Sequence, residues 1–94
     1  MAFLKRQMAL SAAEFLQLLP RAVQPYTCEV GVDLVTIGLR RGRLEIELLP
    51  LPPRNIASIS LPVLQIEMTA HDADDAELAA LLARFDRSFQ RGGG

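Results

Sequence analysis

The segment Asp74–Gln90 reads DDAELAALLARFDRSFQ, and within it Leu78, Leu81, Leu82, Phe85 and Phe89 fall at i, i+3, i+4, i+7 and i+11. That spacing places the five side chains on one stripe of an α-helix, whereas a strand would scatter them over both faces. Asp74 followed by Glu77 has the spacing of a capping box, with Asp as the cap. Asp72, Asp74, Asp75 and Glu77 gather at the start, and Arg84, Arg87 and Arg91 stand near the end. Each sign suits its end of the helix dipole. Such a helix needs an apolar surface to cover, and the residues before it are expected to supply a sheet.

Arg43–Leu49 is the most regular of these segments. Leu44, Ile46 and Leu48 alternate with Glu45 and Glu47, the pattern of a strand with one buried and one wet face. Arg40-Arg41-Gly42 before it is a tight connection with a glycine available for positive φ, so Leu34–Leu39 is predicted to be the other arm of a hairpin. Tyr26–Val30 reads as an earlier strand, joined by the turn Gly31-Val32-Asp33. Pro50-Leu51-Pro52-Pro53 is expected to end the strand that starts at Arg43, because proline cannot donate to a ladder, and to run on as a stiff extended connector. Arg54–Ser58 continues that connector. Leu61–Thr69 is the last predicted strand, with Leu64, Ile66 and Met68 inward and Gln65, Glu67 and Thr69 outward.

Near the start, Leu4, Met8 and Leu10 alternate with polar or small residues, and residues 2–10 are read as a short strand. Ser11 and Glu14 form a capping box ahead of Ala12, Phe15, Leu16 and Leu19, which share a helical face. Pro20 is expected to close this helix after about two turns, with a loose turn through Val23. The order (β)-α-β-β-β-β-α predicts a two-layer α+β domain. It has an antiparallel meander of four strands, five if the first segment joins, and both helices on one face. The terminal stripe should rest on Val35, Ile37, Leu44, Ile46, Leu64 and Ile66. Residues 1–91 make a single domain, and the glycine tail 92–94 is expected to be mobile.

Half of the 94 residues are hydrophobic, enough for one modest core. That content in so small a chain favours a protein partner or a second copy over part of the surface. The net charge of −1 argues against a nucleic-acid or anionic-membrane binder. No run approaches the roughly 20 apolar residues of a membrane span, and no clean secretory segment opens the chain. A cytoplasmic protein is expected. Cys28 is the sole cysteine, which suits a reducing compartment and excludes an internal disulfide.

Chemistry-bearing residues are few. Cys28 and His71 are the one thiol and the one imidazole, and a dyad would need them adjacent. His71-Asp72-Ala73-Asp74-Asp75 could hold a cation, yet acidic residues there are also what helix initiation favours. Arg40, Arg41 and Arg43, with Arg54, are the candidate contacts for a partner or an anion. Glu29, Glu45, Glu47 and Glu67 should line the outer sheet face, where alternation alone predicts polar residues. The run from Pro50 to Arg54 has the PxxP spacing of a proline-recognition ligand. None of these reaches a catalytic, cofactor or metal assignment, and the reading leans away from an enzyme. The leading expectation is a protein-interaction domain, with a second copy of the chain among the candidate partners. Its surfaces would be the arginine turn, the proline segment, and the exposed sheet face with Leu34, Leu49 and Val63. The alternative is a small-ligand or anion-binding domain with a cavity between sheet and C-terminal helix, using Thr36, Cys28 or Tyr26.

Overall fold

Alternation decides which side of each strand is covered, and a computed structural model describing residues 3–91 gives the arrangement. The elements are β1 (Phe3–Met8), α1 (Ala12–Ala22), β2 (Cys28–Val30), β3 (Leu34–Gly38), β4 (Arg43–Ile56), β5 (Ile59–His71) and α2 (Asp75–Arg91). The strands form one antiparallel sheet in the order β1-β5-β4-β3-β2. Strands β2 to β5 are the expected meander. The first segment does join as a fifth strand, and it lies beside the last one, so α1 carries the chain from one sheet edge to the other. The glycine tail 92–94 lies outside the described residues.

Val35, Ile37, Leu44, Ile46, Leu48, Leu64, Ile66, Met68 and Ala70 are buried beneath the helices. Phe15 and Leu19 from α1 meet Leu78, Leu81, Phe85 and Phe89 from α2 above them. Phe15 stacks on Phe89 at 5.0 Å between centroids and meets Phe85 edge-on at 6.1 Å, which fastens one helix to the other. Leu82 lies half-buried at the edge of the stripe.

The Ser11–Glu14 box closes in both directions, at 3.1 and 2.9 Å. Helix α1 then continues past Pro20 to Ala22, longer than the two turns expected. Pro20 is on the solvent side, so the lost donor is that of an exposed turn, while Leu19, Ala22 and Val23 are buried and hold the last turn in place. Strand β2 is shorter than predicted, with Tyr26 outside it.

The larger correction concerns Pro50–Pro53, which does not end β4. Leu51 pairs with Val63 and the ladder resumes at Arg54 with Leu61, so Pro52 and Pro53 together oppose Pro62 in a bulge. Three residues without N–H groups thus sit where the ladder is already interrupted. The segment Arg54–Ser58, expected as a connector, instead ends β4 and turns through Ala57-Ser58, with Ala57 at φ 55°.

Strand β3 accompanies β4 only as far as Glu47, and β1 accompanies β5 only as far as Leu64. Beyond those points β4 and β5 run on alone as a two-stranded arm. The molecule is 46 Å long against 25 and 20 Å in the other directions.

Candidate functional site

The arm has two chemically different faces, and its register assigns them. Along β5, Leu64, Ile66, Met68 and Ala70 are buried under the helices, so Ile59, Leu61, Val63, Gln65, Glu67, Thr69 and His71 lie on the opposite face. Their partners on β4 are Ile56, Arg54, Leu51, Leu49, Glu47, Glu45 and Arg43. The helix-free face of the arm therefore carries Leu49, Leu51, Ile56, Ile59, Leu61 and Val63, with Arg54 among them. The other face carries Pro50, Asn55, Ser60 and Pro62. Ile56 is 54% exposed and Ile59 58%. An isolated two-stranded hairpin is marginal in water, and this one holds an apolar stripe clear of the core.

Towards the base the same face turns acidic. Glu47 stands directly opposite Glu67, and neither has an ion-pair partner among the described residues. Glu67 accepts the Gln65 amide at 3.1 Å, and Lys5 stands opposite it on β1. Like charges in directly opposed positions are unfavourable. Glu45 differs, because His71 Nε2 lies 2.7 Å from Oε1 and Arg43 3.7 Å from Oε2.

The candidate arginines, three read at a hairpin tip with Arg54 added to them, occupy three different places. Arg40 and Arg41 sit in the β3–β4 turn, where their backbone N–H groups donate to Glu77 at 3.0 and 3.4 Å. Arg43 lies on the helix-free face against Glu45. Arg54 is on the arm, eleven residues along the same strand from Arg43, roughly 35 Å away. Cys28 pairs with Ile37, packs against the core, and has its thiol pushed up by burial. His71 projects to the opposite side of the sheet, so the two do not form a dyad. The segment His71–Asp75 is likewise split between tasks: His71 turns to Glu45, while Asp74 caps α2 by accepting the Glu77 N–H at 3.0 Å.

Glu77 does not complete the capping box. Its Oε2 accepts the Tyr26 hydroxyl at 2.6 Å together with the Arg40 N–H. The bond to Tyr26 is the main reason the carboxyl is held below its ordinary range, helped by the turn amides against some desolvation. The same bond raises the tyrosine. Beside this network lies a hollow of about 370 Å³ lined by Tyr26, Arg40, Asp74, Glu77, Leu81 and Arg84. Its two guanidinium groups offset its two carboxylates. It sits at the first turns of α2 rather than between sheet and helix, where Phe15, Phe85 and Phe89 pack. Thr36 and Cys28 do not line it.

Leu51, Ile56, Ile59 and Leu61 were not legible as a surface, because the prolines read as the end of the strand. One signal was present: Ile59, Leu61 and Val63 extend the alternation of β5 backwards, and Ile56 mirrors Ile59 across a two-residue turn. Among the described residues, no helix is long and apolar enough to cross a membrane, and no group of three or more His, Cys, Asp or Glu is placed to hold a metal ion. Compared with protein-family models, curated proteins and solved structures, the chain matches none.

Proposed function

We propose that this chain is a protein-interaction domain whose contact surface is the apolar face of the β4–β5 arm, continued onto the helix-free face of the sheet. One observation carries the reading: from Pro50 to Val63 the two strands leave the sheet, and apolar side chains line one side of them with none of the described elements above. Among the described residues the buried core reaches Leu48 on β4 and Leu64 on β5 and includes no residue of the arm beyond them. Covering the stripe removes apolar area from water and adds a second layer to a marginal hairpin. The proline-rich segment fits the same role. Prolines along β4 deny an incoming strand its donors on that edge, which directs association to the face of the arm rather than to its edge.

Site-specific photo-crosslinking tests this in the cells that make the protein. A photoreactive residue is placed at Ile56 or Ile59 on the apolar side, and at Asn55 or Ser60 on the other. Adducts from the first pair and none from the second are expected. Equal yields from both faces, or none from either, would sink the proposal.

A further inference from the structure

Resting on that reading, we infer that the occupant of this surface is a second copy of the chain, packed face to face and tip over base about a two-fold axis.

The charges on the face are the first reason. Glu47 and Glu67 oppose each other, and among the described residues Glu47 has no ion-pair partner, whereas Lys5 on β1 stands opposite Glu67; Arg54 is exposed on the same face, likewise without a carboxylate partner among the described residues. A chain that places an unpaired acid, Glu47, at the base of a face and an unpaired guanidinium, Arg54, near its tip is complementary to itself when inverted.

The register shows that the match is a consistent one. The paired positions on the face run, from the tip, Ile56–Ile59, Arg54–Leu61, Leu51–Val63, Leu49–Gln65, Glu47–Glu67 and Glu45–Thr69. A two-fold axis between the third and fourth of these lays Leu49 of each copy on Leu51 of the other. It also carries Arg54 over Glu47, beside Glu67. The tip pair Ile56–Ile59 then arrives over Glu45–Thr69, one strand in from Phe3, itself 54% exposed. Leu49 and Leu51 therefore meet at the centre with Arg54 on Glu47 to either side, while Leu61 comes over Glu67 and Ile56 over Glu45.

Size favours the same arrangement. Two arms overlapping only on themselves would meet over roughly 15 Å, too little for the ~800 Å² that each partner gives to a standard interface. Tip over base extends the overlap from Ile59 to Thr69, about 34 Å, and brings the wider base of the sheet into contact.

The experiment is sedimentation and light scattering on the full chain, from low micromolar concentration to the solubility limit, at low and moderate salt. A dimer is expected. Arg54→Glu should weaken it at least about tenfold by setting like charges together. Adding Glu47→Arg to that variant should restore it, because the symmetry rebuilds both contacts from one chain. Both residues are exposed, and circular dichroism checks that the fold is kept. A monomer at every concentration overturns the second-copy inference, and the interaction reading then stands or falls on the crosslinks alone. A dimer indifferent to Arg54→Glu, or one that Glu47→Arg fails to restore, overturns the tip-over-base pairing.

Discussion

The Tyr26 hydroxyl donates to the Glu77 carboxylate at 2.6 Å across 51 residues of sequence, and so ties the approach to β2 to the first turn of α2. The backbone N–H groups of Arg40 and Arg41 converge on the same carboxylate, which makes Glu77 the joint between three segments distant in the chain.

Glu77→Gln should therefore flatten the acid limb of stability. The folded carboxyl is held below its ordinary value, so its contribution is present above that value and is lost as pH falls through it to the lower folded value. Tyr26 behaves in the mirror sense. Its contribution is present below the ordinary tyrosine value and fades as pH rises through the raised folded one. In thermal melts the difference between wild type and variant should narrow as pH falls below the ordinary carboxylate value. A constant difference as pH falls would contradict the assignment.

Phe85 is 1% exposed and its ring meets both Phe15 and Phe89. Phe85→Ala should cost roughly 3–5 kcal/mol. That is a large share of the 5–15 kcal/mol typical of a domain. Urea unfolding should show a lowered midpoint with a similar slope, and a loss below about 1 kcal/mol would mean that the helices do not rely on this contact.

Gly42 joins β3 to β4 at φ 75°, and a Cβ there would lie 2.0 Å from the His71 carbonyl oxygen and 2.5 Å from the Asp72 carbonyl carbon. Both neighbours are backbone and cannot swing aside. Gly42→Ala should destabilise by roughly 3 kcal/mol, combining positive-φ strain with that clash. Equilibrium unfolding measures it, and a neutral result would show that the turn can open away from β5.

The arm should be the least protected part of the sheet in the isolated chain. Amides from Asn55 to Ser60 are expected to exchange with deuterium much faster than those from Glu45 to Leu48, since no third strand or second layer covers them. Replacing Ile56 or Ile59 by Ser should change monomer stability by no more than about 0.5 kcal/mol. If the chain dimerises through this face as proposed, the arm amides should become protected at high concentration in the wild type and stay exposed in Ile59→Ser. Strong protection in the dilute wild type would mean that the arm is held by the fold itself.

Most of the architecture was legible because it rests on local periodicity. Leu78, Leu81, Phe85 and Phe89 specify a helical stripe; Leu44, Ile46 and Leu48 specify a strand with one wet face; Ser11 and Glu14 specify a helix start. Each depends only on residues within a turn or two of one another. The two-layer α+β class followed from setting those elements in order.

Other features depended on partners far away in the chain. Pro50–Pro53 reads as a strand terminator by itself, and only the pairing with Val63 and Leu61 reveals a bulge that absorbs two prolines and lets the strand go on. The Asp74–Glu77 spacing predicts a reciprocal cap, but Tyr26 and the β3–β4 turn draw the Glu77 side chain away. Arg40, Arg41, Arg43 and Arg54 look like one cluster on a line of sequence, yet strand geometry carries the last of them to the far end of the molecule. Sequence alone thus determined the elements and their buried sides, because those come from short-range period and capping. Tertiary structure decided the apolar face of the arm and the opposition of Glu47 to Glu67, because both come from cross-strand register, which joins residues that no local pattern connects.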